Sequence, residues 1–249
     1  MIKKSRPGNW IFLGLAVAAL AAAGLYDAGL LRFNFPSPER FPVRGIDVSH
    51  HQGHIGWFEA GLHNVQFAYI KATEGTDYRD PQFEYNWSQC PHDLIARGAY
   101  HFFNFCTPGK DQARNFLQVV PPDPQALPPA LDLEFSGNCR REPSQAAMKR
   151  EVTSFVKEIS IRFPEPPVFY VTQAFYKRYL EGHEQEYPPH RLWIRDVVSE
   201  PRRAPCTEWT FWQYGALGRI PGIHGPTDLN IFCGTLEEFA ALIHKDRTR

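Results

Sequence analysis

The segment PALDLEFSGNCRREPSQAAMKREVTSFVKEISIRFPEPPVFYVT (129–172) holds a strand, a helix and a second strand in that order. PALDLEF (129–135) and PVFYVT (167–172) are short apolar runs of strand length. Between them, Pro143 to Phe163 sets Ala146, Val152, Phe155, Val156 and Ile159 at helical spacing, with Ser144 near its start and Pro164 just after its end. Two strands joined through a helix lie parallel in one sheet.

The same alternation extends outward in both directions. VRGIDVS (43–49), VQFAYIKA (65–72) and GAYHFFN (98–104) precede the unit, and LWIRDV (192–197) and TFWQYG (210–215) follow it. Asp111 to Val120 and Leu236 to His244 are shorter amphipathic helix candidates, whereas the stretch after Trp193 carries no clear helical pattern. Seven strand candidates in about 210 residues predict an α/β fold, a modified (β/α) barrel of the TIM type with a less regular second half.

Composition fits one such domain. Of 249 residues, 43% are hydrophobic, which supplies a sizeable core and excludes a disordered chain. Lys+Arg and Asp+Glu both number 27. With no basic excess to neutralise a phosphate backbone, no nucleic-acid partner is expected.

Lys3, Lys4 and Arg6 precede an uncharged stretch from Trp10 to Tyr26, which is at the short limit of a spanning helix. Residues 1–26 are expected to be a signal-anchor, or a signal peptide cut at a small-residue site such as Ala21-Ala22-Ala23. Residues 27–41, holding Pro36 and Pro38, read as a short stiff tether, and 42–249 as the functional domain. Either reading exports that domain, anchored to the membrane facing the periplasm or cell exterior, or secreted once the leader is cut. Cys90, Cys106, Cys139, Cys206 and Cys233 all follow the leader, where disulfides are permitted; an odd count leaves one unpaired in a monomer, and spacing does not fix the pairing.

In a parallel α/β barrel the reactive groups gather where strands end and βα loops meet. Those ends are polar here: Asp47, then Lys71 and Glu74, then His101, then Asp132 and Glu134. Unused polar groups in such runs are costly when buried, so an open cleft is the simpler account. Asp132 and Glu134 stand at i and i+2 and face the same way. Two carboxyls in one pocket resist double ionisation, which leaves a protonated acid beside a charged partner near neutral pH. Glycosidic cleavage needs that combination, one group protonating the leaving oxygen and another stabilising charge at the anomeric carbon. A D-x-E at a strand end is also a common structural ion-pairing motif, so the tripeptide alone does not assign the chemistry.

GIDVSHHQGHIGW (45–57), FAYIKATEGTDYRDPQFEYNW (67–87), RGAYHFF (97–103), ALDLEF (130–135), FWQYG (211–215) and TDLNIF (227–232) carry a wider pattern. In order and approximate spacing the chain resembles the glycoside hydrolase family 25 lysozymes from about Arg44 to Cys233. The resemblance implies a modified β/α barrel that hydrolyses the β-1,4 bond between N-acetylmuramic acid and N-acetylglucosamine in peptidoglycan. It further implies Glu134 as proton donor, Asp132 as the neighbouring acid, and Asp47 and Asp228 as the remaining acids of the site. Peptidoglycan glycan strands are then the partner, the N-terminal segment the link to a membrane, and no cofactor is called for. LWIRDV departs from the family pattern by placing Arg195 and Asp196 where a small residue and then an aromatic more often follow L-W-I.

Tyr69, Tyr100, Tyr170, Trp193 and Trp212 recur near strand ends, where rings stack on sugar faces; for each, core packing is the alternative. Glu74, His101 and Gln213 complete the expected substrate-binding set. His50, His51, His54 and His101 raise the question of a metal, but the acid pair supplies a metal-free route and no fourth ligand is evident, so none is expected. The chain is expected to act as a monomer. Two other readings stand beside hydrolysis of peptidoglycan: a glycan-binding barrel without turnover, and a glycosidase acting on another N-acetylated polysaccharide such as chitin.

Overall fold

The computed structural model describes residues 8–27, 34–91, 93–203 and 206–243. The strands are β1 Arg44–Val48, β2 Phe67–Glu74, β3 Tyr78–Arg79, β4 Ala96–Phe102, β5 Ala130–Leu133, β6 Val168–Thr172, β7 Arg191–Arg195, β8 Phe211–Gly218 and β9 Thr227–Phe232. All but β3 close into a barrel in the order β1-β9-β8-β7-β6-β5-β4-β2, with β1 pairing back to β2 and β3 folded onto the end of β2. Within the barrel every neighbouring pair is parallel except those of β9, which runs antiparallel to both β8 and β1. The short connection 219–226 holds no helix, and without a crossover β9 can only return alongside β8 in the opposite direction. The expected strands are all present, and TDLNIF supplies the one that closes the barrel.

The helices are α1 Gly8–Asp27, α2 Trp57–Leu62, α3 Phe83–Gln89, α4 Gly109–Val119, α5 Gln145–Ile159, α6 Gln173–Phe175, which runs on into a π turn to Leu180, and α7 Leu236–Ile243. In α5 the Ser144 hydroxyl accepts from Ala147 N–H as an N-cap, and Met148, Val152, Phe155, Val156 and Ile159 form its buried face. Among the described residues no helix links β7 to β8, so the second half is less regular, as expected. α2 and α3 escape a periodicity search because each is under eight residues, about two turns.

Alternation along the strands creates two cores. Outward residues such as Ile70, Leu131, Leu133 and Phe169 pack in the layer that holds Phe116 of α4 and Phe155 of α5. Inward residues Val43, Phe67, Ala130, Val168, Phe211 and Phe232 fill the base of the barrel together with Phe239 of α7. Two disulfides, Cys106–Cys139 and Cys206–Cys233, tie loops outside the sheet, and Cys90 is free and buried.

The tether is not bare along its length. Phe41 is buried with its ring 6.1 Å from that of Trp209 and 6.2 Å from that of Trp212, Arg44 donates to the Pro36 carbonyl, and Arg40 pairs with Glu200 at 2.7 Å. Residues 34–41 are thus packed onto the barrel, while 28–33 lie outside the described residues. Residues 1–7 of the expected leader, His244 of the last expected helix and the remaining tail to 249 also lie outside them. Among the described residues no helix is long and apolar enough to cross a membrane. In α1 the side chains are described at 11–21 and 24–25, and Ile11, Phe12, Leu13, Leu15, Val17, Leu20 and Leu25 are exposed.

Candidate active site

Each strand that is apolar at the base of the barrel turns polar toward the other end. Along the inward faces, Val43 leads to Asp47 on β1, Phe67 to Lys71 on β2, Ala130 to Asp132 and then Glu134 at the end of β5, and Phe232 back to Asn230 and Asp228 on β9. They open into a cleft of about 370 Å³ at the C-terminal ends of the parallel strands. The four acids Asp47, Asp132, Glu134 and Asp228 all line it.

Asp47 and Asp228 are directly opposed on the antiparallel β1–β9 ladder and hydrogen-bond to each other through their carboxyls. Asp47 Oδ2 also accepts from Asn230 Nδ2 at 2.7 Å and from Gln213 Nε2 at 3.3 Å. The amide oxygens of those two residues are occupied in turn: Trp193 Nε1 donates to Asn230 Oδ1 at 2.9 Å, and Tyr170 OH donates to Gln213 Oε1 at 2.7 Å. With their oxygens held, both amides present N–H to Asp47. Burial still outweighs these donors and pushes Asp47 up to about 6. Asp228 is driven well above the carboxylate range by burial and by the charge of Asp47.

Asp132 is likewise raised well above its ordinary value, first by burial and then by Glu134 and Asp47. Its Oδ1 is sealed from solvent and has no hydrogen-bond partner among the described residues. Glu134 is raised by burial, with the cations Arg195 and Lys71 opposing the rise. All four carboxyls of the cleft have their proton affinity raised, the direction that general acid work requires.

Lys71 reaches this site through a bulge. The β2–β4 register slips between Lys71 and Thr73, so Lys71 and Glu74 share the cleft face and pair at 2.7 Å. Glu134 is placed by its loop. Asn138 Nδ2 donates to the Glu134 and Phe103 carbonyls at 3.0 and 2.8 Å, while its Oδ1 accepts from Phe105 N–H at 2.9 Å and Cys139 N–H at 3.0 Å. The Cys106–Cys139 bridge joins the same two loops covalently.

Of the expected substrate-binding residues, Glu74, Tyr100, Tyr170 and Trp193 line the cleft. Gln213 lies beneath it as a buried support for Asp47. Three expectations are corrected. His101 faces outward because its neighbours Tyr100 and Phe102 face inward; it is buried between Thr73 Oγ1 (2.7 Å) and Gln112 Oε1 (3.0 Å), and burial lowers it to about 4. Trp212 faces outward for the same reason, next to inward Gln213, with Nε1 donating to the Asp196 carbonyl at 2.8 Å. Tyr69 does face inward but two residues deeper than Lys71: its ring fills the space left by Gly98, where a Cβ would lie 2.5 Å from it, and its hydroxyl donates to the Pro128 carbonyl at 3.0 Å. Asn230 was not anticipated, although period-two alternation from Asp228 in TDLNIF points to it.

Comparison with known proteins bears on the chemistry. The family described as "Glycosyl hydrolases family 25" matches residues 46–223. The chain belongs to that family. Its family 25 relatives include Lysozyme M1 of Streptomyces globisporus, 34% identical over 208 residues that cover 80% of this chain and 71% of that protein. The Escherichia coli (strain K12) protein YegX is 34% identical over 211 residues, 83% of this chain and 75% of that protein. Among solved structures, a family 25 glycosyl hydrolase from Bacillus anthracis aligns with TM-score 0.76 and 35% identity, covering 84% of this chain and 96% of that one. The bacterial lysozyme from Streptomyces coelicolor aligns with TM-score 0.72 and 33% identity, covering 82% and 97%. The family 25 barrel described above is therefore that of a glycoside hydrolase, with its cleft at the strand ends where barrel enzymes place their chemistry.

Proposed function

We propose that the protein hydrolyses the β-1,4 bond between N-acetylmuramic acid and N-acetylglucosamine in peptidoglycan, with Glu134 as general acid and Asp132 assisting. The observation that carries this reading is the Asp132–Glu134 pair, two carboxyls of raised proton affinity on one face at the end of β5, inside a family 25 cleft. Similarity to lysozymes supports the choice of glycan.

Asp132 lines the cleft, and its carboxylate is placed to accept the N–H of a 2-acetamido group. Accepting that N–H favours ionised Asp132, and the proton shared by the pair then resides on Glu134. Glu134 gives it to the glycosidic oxygen as the C1–O bond breaks, while the acetamido oxygen bonds to C1. Water then adds to C1, losing a proton to the Glu134 carboxylate, and the acetamido bond to C1 opens. Two displacements retain configuration, a substrate-assisted route outside the usual two-carboxylate scheme. Asp47 and Asp228 border the same space and supply a fixed negative potential that stabilises the cationic ring.

Mass spectrometry of products from purified peptidoglycan, treated with the protein beside Glu134→Gln, tests the assignment. Fragments ending in reducing N-acetylmuramic acid, absent with the variant, are expected. Binding to the glycan without fragments from either protein would favour a binding barrel instead, and cleavage of chitin oligomers in preference to peptidoglycan would reassign the substrate.

Export and membrane attachment belong to the same proposal. Lys3, Lys4 and Arg6 before the apolar run, the exposed apolar side chains of α1, and two disulfides in the barrel support an anchored enzyme acting in an oxidising compartment outside the cytoplasm.

A further inference from the structure

Arg195 stands at the last position of β7, two residues above Trp193 on the same inward face, and is directly opposite Thr172 of β6 and Gln213 of β8. It is half-buried, and its inward position at the C-terminal end of β7 beside Gln213 sets it next to the cleft, where its charge is felt at Asp47, Glu134 and Asp228. Its neighbours' carboxylates are engaged elsewhere. Asp196 accepts from Val198 N–H (3.1 Å), Ser199 N–H (2.9 Å), Ser199 Oγ (3.2 Å) and Gln173 Nε2 (3.4 Å), and Glu200 pairs with Arg40. Lys71, the other cation facing the cleft, is tied to Glu74 at 2.7 Å. The Arg195 backbone is held in the β6–β7–β8 ladder, while its guanidinium makes no hydrogen bond or ion pair with any described residue.

A guanidinium left with its donors free beside a glycan cleft is a fork matched to a carboxylate, which it binds through two parallel N–H···O bonds. A neutral sugar hydroxyl gives it no such partner. We propose that Arg195 reads a carboxylate carried by the muramic acid side of the scissile bond. This rests on the peptidoglycan reading above. The carboxylate has two sources in that polymer: the lactyl group itself where no peptide is attached, or the stem peptide where one is.

The test compares wild type, Arg195→Ala and Arg195→Lys on three purified substrates: strands with intact stem peptides, strands stripped by an amidase to free lactyl carboxylates, and stripped strands whose lactyl carboxyls are converted to methylamides. The readout is the ratio of kcat/KM between each carboxylate-bearing substrate and the methylamide, which cancels any general change in acidity or folding. The wild type is expected to favour a carboxylate-bearing form by about tenfold or more, the scale of one charge-assisted bond. Arg195→Ala brings that ratio close to one, mainly through KM, and Arg195→Lys keeps part of it. Preference for stripped strands names the lactyl carboxylate, and preference for peptide-bearing strands names the stem. A wild-type ratio near one, or a ratio that survives in Arg195→Ala, overturns the inference while leaving hydrolysis intact. Failure of the wild type on all three substrates overturns the peptidoglycan reading itself, and this inference with it.

Discussion

Asp47 and Asp228 oppose each other across the antiparallel β1–β9 seam, and their carboxyls share a hydrogen bond that requires a proton. A parallel neighbour would offset the two side chains along the strand; the reversal of β9 brings them level. Burial raises Asp47 from an ordinary value near 3.8 to about 6, so the folded state binds its proton more tightly than the unfolded chain does. The stability this contributes is present at low pH and is lost as pH rises across that window. Asp47→Asn keeps the shape and removes the ionisation. It is expected to raise stability at pH 7 by roughly 1–3 kcal/mol relative to wild type, with a smaller gain at pH 4, and to lower activity. Thermal unfolding of both proteins at the two pH values reads this directly, and a gain that is the same at both would show that no shared proton is involved.

The alkaline limit of activity should belong to Glu134, which must be protonated to cleave. Burial raises its affinity for the proton, and Arg195 and Lys71 pull it back. Removing a cation therefore raises it further, and the alkaline limb of kcat/KM should move to higher pH in Arg195→Ala and in Lys71→Met. A limb that stays in place in both variants would assign it to another group.

Tyr170 holds the oxygen of Gln213 so that its amide N–H meets Asp47. In Tyr170→Phe that buried oxygen loses its partner, at a cost of about 1–3 kcal/mol. Activity should fall by about tenfold or more, with Tm lowered by only a few degrees. Parallel measurement of kcat/KM and unfolding checks the balance; a loss of stability with unchanged activity would make Tyr170 a packing residue.

The Cys106–Cys139 bridge closes a span of 33 residues between the loops that follow β4 and β5. Replacing both cysteines by serine should reduce stability by about 3–4 kcal/mol. Because Asn138 still binds the Glu134 carbonyl, cleavage at 25 °C should persist and fail at a lower temperature than in wild type. Activity measured across a temperature series separates this outcome from an immediate loss, which would mean that the bridge itself places Glu134.

Much of the barrel was legible because its strands are apolar on both faces and bounded by turns, and because α5 carries a full amphipathic face with a Ser144 cap. Two of the misplaced site residues, His101 and Trp212, share one cause. Tyr100 with His101, and Trp212 with Gln213, are adjacent pairs on single strands, and adjacent residues cannot both face one cleft. Choosing between them required knowing which face is the lumen, a long-range property fixed by the closing of the sheet. Tyr69 failed for depth rather than direction, since the layer an inward residue occupies depends on strand stagger. Lys71 and Glu74 share a face only because β2 is bulged, which alternation does not foretell. Asp132 and Glu134 were readable because they stand two residues apart at the end of one strand and needed no partner strand to bring them together.

The packing of residues 34–41 onto the barrel also sets a length. Asp27 ends α1 and Asn34 begins the docked segment, so seven peptide units join the two rather than the fifteen residues of the whole tether. Fully extended, they span at most about 25 Å. If α1 anchors the protein as proposed, the barrel is on a short leash whose reach is set by where Phe41 and its neighbours grip the barrel, and lengthening that leash by a few residues should change which glycan strands the cleft meets without altering the cleft itself.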